Sequence, residues 1–269
     1  MKKIIITLIM LLVLVGCGST AAKDDVTEDN GATAVATDSE YIKEKGKLVV
    51  GITEFAPMDY QENGEWIGFD ADMAKAFAES LGVEAEFMVI EWDNKVMELD
   101  SKSIDCVWNG MTLNDEVKNA MEASNAYAFN AQVVVMKKDA INNYADVDSI
   151  KDLQFAVEAG SAGEEVIADL GYNYVSLTAQ SDTLLEVKAG TSDAAVIDLL
   201  MAGAMVGEGT DYDDLAFAIP LNSEEYGVGF RKGSDLAGLL NDFFKKTYDD
   251  GTMLNIAETY DIKDAIKAQ

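Results

Sequence analysis

The chain is constrained most strongly by a repeated alternation of short apolar stretches with segments of helical periodicity. Residues 48–52, Leu-Val-Val-Gly-Ile, form a β-branched run that is typical of a buried strand. Further along, Met73, Phe77 and Leu81 recur every four positions, and Gly82 is typical of a helix C-terminus. Strands that alternate with helices form parallel sheets covered on both faces. The sequence therefore predicts an α/β fold, with two lobes rather than one.

Turn and capping signals add detail to this pattern. Residues 63–64, Asn-Gly, predict a tight hairpin turn between residues 58–60 and residues 66–67. Asp70 is predicted to be the N-cap of the helix that follows the hairpin. Cys106 lies in an apolar run without a basic neighbour, so we expect a small buried side chain rather than a reactive thiol.

The N-terminus has the pattern of an export signal. Two lysines precede an apolar run at residues 4–15, which is shorter than the roughly 20 residues that span a bilayer. The run ends at residues 14–17, Leu-Val-Gly-Cys, which resemble the lipobox of bacterial lipoproteins. This resemblance implies that residues 1–16 are a signal peptide and that Cys17 carries a lipid such as palmitate on the extracytoplasmic face of the cell membrane. The alternative is an ordinary secretory signal with an incidental cysteine.

A segment of small and polar residues follows the cysteine. From Cys17 to residue 39 it contains no large apolar residue beyond valine. Such a segment buries too little surface to offset the entropy of ordering it. We therefore expect residues 17–39 to be a flexible tether.

Composition narrows the possible functions. The formal net charge is −29, so the chain is repelled by phosphate backbones and nucleic acid is excluded as a partner. There is no histidine, which removes the common general base, the common metal ligand and the Ser-His-Asp arrangement. We predict no catalytic residue, no metal site and no cofactor.

Residues 160–163, Gly-Ser-Ala-Gly, lack the closing Gly-Lys of a P-loop. They are either an ordinary strand-to-helix turn or a turn that donates N–H groups to an anionic ligand.

Five stretches resemble, in order and spacing, the family 3 extracellular solute-binding proteins, which are the polar amino acid receptors of ABC importers. They are residues 46–51 (Gly-Lys-Leu-Val-Val-Gly), 55–58 (Phe-Ala-Pro-Met), 68–78 (Gly-Phe-Asp-Ala-Asp-Met-Ala-Lys-Ala-Phe-Ala), Asp105 with 108–112 (Trp-Asn-Gly-Met-Thr), and 226–230 (Tyr-Gly-Val-Gly-Phe) before 232–234 (Lys-Gly-Ser). The resemblance covers residues 45–262.

This resemblance implies a type II periplasmic-binding-protein-like fold, with the ligand in a cleft between two lobes that are joined by two crossing strands. Lobe 1 would comprise residues 45–129 and 229–269, and lobe 2 residues 130–228. The implied ligand is an amino acid, and the implied partners are the membrane subunits of an ABC importer. We expect a monomer.

The resemblance also implies a set of ligand-binding residues. Two aromatic walls enclose the ligand, a segment of lobe 1 binds its α-amino and α-carboxylate groups, a turn of lobe 2 donates N–H groups, and an acid pairs with its ammonium. The two walls are Phe55 and Trp92, and the segment of lobe 1 is Asn109, Gly110, Met111 and Thr112. The turn of lobe 2 is Gly160, Ser161 and Ala162, and the acid is Asp198. The alternatives are core aromatics for the walls, a strand-end residue for the threonine and a helix cap for the acid.

One position departs from the family pattern. Val117 stands where the family usually has an arginine that binds the ligand carboxylate, and an aliphatic side chain cannot replace that fork. Lys118 is the adjacent candidate to replace it. If Glu54 and Glu158 face the cleft together with Asp198, the pocket is acidic and favours a cationic or zwitterionic amine, such as a basic amino acid. Alternatively, both glutamates face solvent, or the ligand is a cationic amine without an α-carboxylate.

Three functions fit these observations. The first is a transport receptor without chemistry of its own, which the lack of histidine favours. The second is a dehydratase-like enzyme on the same fold. The third is a sensory ectodomain, which would need a membrane-spanning link to a cytoplasmic module.

Overall fold

The structure, a computed structural model, describes residues 36–269 and contains two main sheets with helices packed against them. The predicted signal peptide, Cys17 and most of the predicted tether lie outside the described residues. The strands are β1 (Lys47–Ile52), β2 (Tyr60–Glu62), β3 (Glu65–Ile67), β4 (Glu84–Val89), β5 (Cys106–Thr112), β6 (Glu122–Ala123), β7 (Ala128–Asn130), β8 (Gln132–Lys137), β9 (Gln154–Glu158), β10 (Asn173–Leu177), β11 (Ala194–Asp198), β12 (Leu215–Pro220) and β13 (Glu224–Phe230). The α-helices are α1 (Asp38–Lys45), α2 (Phe69–Leu81), α3 (Lys95–Asp100), α4 (Asp115–Ala120), α5 (Ala162–Leu170), α6 (Gln180–Ala189), α7 (Leu199–Met205), α8 (Leu236–Asp249) and α9 (Thr252–Thr259). Within residues 36–269, no helix is long and apolar enough to cross a bilayer.

The two main sheets are built from different parts of the chain. The first sheet has the order β4-β1-β5-β13-β6, with β7 also paired to β13, and the second has the order β10-β9-β11-β8-β12. In the first sheet β1 is parallel to β4 and β5, and in the second β9 is parallel to β10 and β11. The chain passes to the second sheet between β7 and β8 and returns between β12 and β13. The predicted α/β class is confirmed.

The predicted parallel pairing holds for part of each sheet, and both sheets also contain antiparallel strands. Strand β13 runs antiparallel to β5, and β8 runs antiparallel to β11 and β12. These are the strands by which the chain enters one sheet from the other without an intervening crossover helix. A parallel neighbour needs such a crossover, whereas an antiparallel one does not.

The predictions of a hairpin and of a buried cysteine agree with the structure, but the prediction of the N-cap of α2 does not. Strands β2 and β3 pair around Asn63 and Gly64, whose φ angles of 54° and 84° suit a tight hairpin turn. Cys106 is fully buried in β5, and burial raises the pKa of its thiol. Asp70 is not the N-cap of α2, because Gly68 occupies that position. The Asp70 carboxylate instead accepts hydrogen bonds from the Gly110 N–H at 2.6 Å and the Tyr127 hydroxyl at 2.7 Å.

Helix α1 contradicts the prediction that the flexible tether extends to residue 39. Thr37 caps the helix, and its hydroxyl and the Glu40 carboxylate form a capping box. Ser39 is buried, and its N–H donates to the Asp235 carboxylate at 3.0 Å. The tether prediction rested on composition alone, and it missed both the local cap and this distant partner.

A buried arginine holds α1 against the first sheet. Arg231 is 8% exposed, and its Nε lies 3.1 Å from Asp38 Oδ2 in α1. Its Nη2 lies 3.3 Å from Asp105 Oδ1, and Lys45 Nζ lies 2.5 Å from the other oxygen of that carboxylate. The charges of this cluster are paired inside the fold, and the only arginine of the chain is engaged in these ion pairs.

Candidate functional site

A cavity of about 380 Å³ is lined by residues from both sheets. Every predicted ligand-binding residue except Glu54 lines it. The lining residues are Thr53, Phe55, Trp92, Lys95, Asn109, Gly110, Met111, Thr112, Asn114, Glu116, Val117, Glu158, Gly160, Ser161, Ala162, Glu164, Glu165, Ala168, Tyr174, Gln180 and Asp198. Its volume is at the lower end of the roughly 300–1,000 Å³ range of small-molecule pockets.

Glu54 faces solvent, so the expectation that it contributes to an acidic cleft is wrong. Its side chain is exposed and accepts a hydrogen bond from the Gln61 N–H at 3.3 Å. Phe55, the next residue, points into the cavity lining. Successive side chains of an extended segment point in opposite directions, and that places only one of the two inside.

Two aromatic side chains form walls of the cavity. Phe55 is 5% exposed and packs edge-to-face on Tyr226, with ring centroids 6.3 Å apart. Its ring lies directly over Gly110, where an added Cβ would come within 2.4 Å of the Phe55 Cε1 atom. Trp92, in a short 3₁₀-helix before α3, is 8% exposed. Both rings are therefore buried in the fold and also present an edge or face to the cavity.

The segment from Asn109 to Thr112 forms the C-terminal end of β5. The Asn109 amide accepts from the Thr53 N–H at 2.8 Å and donates to Asp59 Oδ2 at 2.7 Å. The Thr112 hydroxyl donates to Glu224 Oε1 at 2.9 Å. Because these side chains are engaged within the protein, the segment offers mainly its backbone to a ligand.

Asp198 ends β11 and is held by four donors. Its Oδ1 atom accepts from Asn130, Gln132 and Tyr226, and its Oδ2 atom accepts from Gln180 at 2.7 Å. Asp198 stands at the N-cap position of α7, but its side chain makes no capping hydrogen bond. Burial, followed by the nearby Glu224 charge, raises the pKa of Asp198 to about 7.

Glu158 is the least satisfied acid of the cavity. It ends β9, is 4% exposed, and its Oε1 atom has no hydrogen-bond partner in the described part of the chain. Burial, followed by the Asp198 charge, raises the pKa of Glu158 to about 8. A buried carboxyl oxygen without a donor is unfavourable, so the Oε1 atom has the capacity to accept a hydrogen bond inside the cavity.

Lys95 is a cavity residue that the sequence analysis missed. It begins α3 and is the only basic residue in the lining. Its Nζ atom lies 3.0 Å from the Gly160 carbonyl oxygen and 5.1 Å from the centre of the Trp92 ring. Burial lowers the pKa of Lys95. No signal in the sequence distinguishes it, because a lysine at the start of a predicted helix ordinarily faces water.

The region of the missing arginine contains no replacement from its own helix. Val117 is 4% exposed and lines the cavity. Lys118 is exposed and is not part of this lining. Helix α4 turns the two side chains in different directions, as expected for adjacent helical residues.

The turn before α5 closes the cavity from the side of the second sheet. The Ser161 hydroxyl caps α5 by accepting from the Glu164 N–H at 3.1 Å. Gly160 has a φ of +69°, and a Cβ there would lie 2.9 Å from the Asp93 Cα atom. Asn114 Nδ2 donates to Glu165 Oε2 at 2.7 Å. The Asn114–Glu165 contact joins the segment after β5 to helix α5, which follows β9, so both segments border the cavity.

The charges of the cavity suit a ligand with more positive than negative charge. Its lining contains the acids Glu116, Glu158, Glu164, Glu165 and Asp198 and one base. Within residues 36–269, no group of three acidic or cysteine side chains is arranged to hold a metal ion. The arrangement provides aromatic walls, buried acids and N–H donors, which are the elements of a binding site.

Comparisons with known proteins agree with this geometry. The family model for bacterial extracellular solute-binding proteins, family 3, matches residues 48–263. The arginine-binding extracellular protein ArtP of Bacillus subtilis (strain 168) is 32% identical over 221 residues, covering 78% of this chain and 84% of that protein. The crystal structure of the P235GK mutant of ArgBP from T. maritima has a TM-score of 0.78 and 31% identity, covering 83% of this chain and 98% of that chain. The ancestral amino acid-binding protein AncCDT-1, a precursor of cyclohexadienyl dehydratase, has a TM-score of 0.76 and 27% identity, covering 82% and 98%.

Proposed function

Because this chain belongs to the family 3 bacterial extracellular solute-binding proteins, we propose that it binds an amino acid of net positive charge outside the cytoplasm and delivers it to the membrane subunits of an ABC importer. Its fold is the two-lobed, type II periplasmic-binding-protein-like fold of the matched structures. The single observation that carries the choice of ligand is the unpartnered Oε1 atom of Glu158 inside the cavity.

The charge balance supports a basic amino acid. Glu158 and Asp198 are two buried carboxyls, and Lys95 is the one base that lines the same cavity. A ligand with one carboxylate and two cationic groups would bring the charges of these three residues close to balance. Such a ligand would also lower the pKa of Glu158, because an opposite charge favours the ionised carboxylate. Two of the matched proteins, ArtP and ArgBP, are named for arginine binding.

The lobe boundaries belong to the same proposal. We assign lobe 1 to residues 45–129 and 229–269 and lobe 2 to residues 130–228, with the ligand between them. Strands β7 and β8 adjoin the first boundary, and β12 and β13 adjoin the second. These are the places where the chain changes sheets, which supports a hinge there.

The anchor is a lipid on Cys17. The apolar run at residues 4–15 and the Leu-Val-Gly-Cys sequence support cleavage after residue 16 and acylation of the new N-terminus. Tethering beside the importer raises the effective concentration of the receptor. Incorporation of labelled palmitate into the wild-type chain but not into Cys17→Ala, with release of the variant from membranes, is the expected result. Labelling of both chains would overturn the anchor.

We further propose that binding occurs without catalysis and that the receptor acts as a monomer. The chain contains no histidine, and the Asp198 carboxylate in the cavity is held by four donors. An amine without an α-carboxylate is a weaker candidate, because ArtP and AncCDT-1 are described as binding amino acids or arginine. Recovery of unchanged ligand after incubation, measured by mass spectrometry, tests the lack of turnover.

The binding proposal is tested by isothermal titration of the full-length chain in detergent. The ligands are L-arginine, L-lysine, L-glutamine, L-cystine and L-glutamate. We expect the basic amino acids to bind most tightly. Glu158→Gln should weaken the binding of the basic amino acids more than it weakens the binding of L-glutamine. Glu54→Gln is the matched control, because it removes an exposed glutamate outside the cavity lining. Tight binding of L-glutamate alone would refute the proposal.

A further inference from the structure

Lys95 has an unusual position for a lysine. The residue is 5% exposed, and its ammonium lies at the boundary of the cavity, between the Trp92 ring and the turn that precedes α5. Nζ donates to the Gly160 carbonyl at 3.0 Å and lies 3.4 Å from the Trp92 carbonyl. An ammonium has three donors, so one remains for a partner inside the cavity.

This ammonium has no carboxylate partner among the described residues. The ion pairs of residues 36–269 engage other lysines and Arg231, and none includes Lys95. Glu116, Asp93 and Glu158 act on it only from a distance, while burial lowers its pKa. A buried charge is stable when it is paired, so the Lys95 ammonium is suited to an anion that enters the cavity.

A second donor lies next to the same region. Ala162 is the first residue of α5 and lines the cavity, and its N–H has no acceptor in the part of the chain that the structure describes. The neighbouring Gly160 carbonyl is the group that Lys95 contacts. An ammonium and a free N–H that line the same cavity can together hold the two oxygens of a carboxylate.

We infer that Lys95 binds the carboxylate of the ligand and so replaces, from a different helix, the arginine whose position is occupied by Val117. The inference rests on the proposed function, because it requires an amino acid in the cavity. Lys95 and Ala162 hold the negative end of the ligand, and Glu158 receives a cationic end. Lys95 also contacts the Gly160 turn, so it binds the carboxylate at the place where the two sides of the cavity meet.

The competing explanation is that Lys95 serves only to hold the Gly160 turn in place. The two roles differ in their dependence on the ligand carboxylate. A residue that binds the carboxylate discriminates an amino acid from its α-amide, which retains the ammonium and side chain but lacks the negative charge. A residue that only holds the turn affects both ligands equally.

The test is isothermal titration of the full-length chain in detergent with L-arginine and L-argininamide. We expect the wild type to bind L-arginine about 10- to 100-fold more tightly than the amide, as expected for a charged hydrogen bond. Lys95→Gln should bind L-arginine more weakly than the wild type by this same factor, and it should bind L-argininamide with the wild-type affinity. Lys95→Met should behave in the same way, and unchanged amide binding shows that the variants are folded. Lys118→Gln is the matched control, since it removes an exposed lysine outside the lining and should change neither affinity.

Any other result contradicts either the inference on Lys95 alone or the proposed function as well. If Lys95→Gln and Lys95→Met weaken both ligands by the same factor, or weaken neither, Lys95 does not bind the carboxylate while the proposed function stands. If the wild type binds L-argininamide as tightly as L-arginine, no residue of the cavity recognises the carboxylate and the inference is wrong. If the wild type binds no amino acid at all, the proposed function fails and the inference fails with it.

Discussion

Replacing Glu158 by glutamine measures the free energy of keeping an unpartnered carboxyl inside the empty cavity. Burial raises the pKa of Glu158 from 4.5 to about 8, so the folded chain binds this proton more tightly than the unfolded chain. When the folded pKa is the higher one, the free energy of unfolding falls as pH rises from the unfolded value to the folded value. The contribution of Glu158 to stability is therefore complete below pH 4.5 and declines up to about pH 8.

The size of this decline follows from the two pKa values. Each pH unit inside the window changes the free energy of unfolding by about 1.4 kcal/mol, and the slope weakens near the folded pKa. Between about pH 6 and about pH 8, the wild type should lose roughly 2 kcal/mol through Glu158, and Glu158→Gln should not. Asp198, whose pKa is raised to about 7, is present in both proteins, so the difference between the two pH profiles reports the Glu158 carboxyl together with its interaction with Asp198.

The assay is urea unfolding without any amino acid, followed by circular dichroism at both pH values. The expected result is that the stability of Glu158→Gln relative to the wild type rises by roughly 2 kcal/mol between the lower and the higher pH. Glu54→Gln controls for the loss of one negative charge at an exposed position. Parallel pH profiles for the wild type and Glu158→Gln would show that the Glu158 carboxyl is well solvated, and the argument for a cationic partner would fail.

Two further substitutions test the geometry of the site and of the N-terminal helix. Gly110→Ala should weaken L-arginine binding by about tenfold or more, because its Cβ would lie 2.4 Å from Phe55 Cε1 and displace that wall. Gly64→Ala is its control in titration calorimetry, since Gly64 also has a positive φ but no atom near an added Cβ, and an equal loss of binding there would contradict the reasoning. Arg231→Met should lower the free energy of unfolding by about 3 kcal/mol, because it leaves the buried Asp105 without its guanidinium partner. Urea unfolding measures this change, and a loss below about 1 kcal/mol would show that the cluster is solvated.

Local sequence patterns predicted the elements well and predicted tertiary partners poorly. The β-branched run at residues 48–52 and the four-residue periodicity of α2 were sufficient to place β1 and that helix. Asp70 was assigned as a cap because an aspartate before an apolar helix usually is one. Its carboxylate is bound by Gly110 and Tyr127, which are distant in the sequence and could not be inferred from neighbours.

The candidate site shows the same limit. The family resemblance placed Phe55 and Asp198 at the cavity, because their motifs carry position as well as residue type. Glu158 also lines the cavity, whereas the sequence had left open whether it faces the cleft or solvent. The prediction that Glu54 faces the cavity was wrong, because a shift of one residue along an extended segment reverses the direction of the side chain. Lys95 was missed because only the approach of the Gly160 turn distinguishes it from any other lysine at the start of a helix.

The cluster around Arg231 has a mechanical consequence if the chain is held by the proposed lipid on Cys17. Arg231 joins Asp38 of α1 to Asp105, which lies directly before β5, and none of these residues lines the cavity. A pull applied at residue 36 would therefore load the ion-paired contact between α1 and the first sheet. Gly160 and Lys95, which meet at the cavity, do not belong to this ion-paired cluster. The proposed attachment and the proposed ligand site thus depend on separate contacts of the fold.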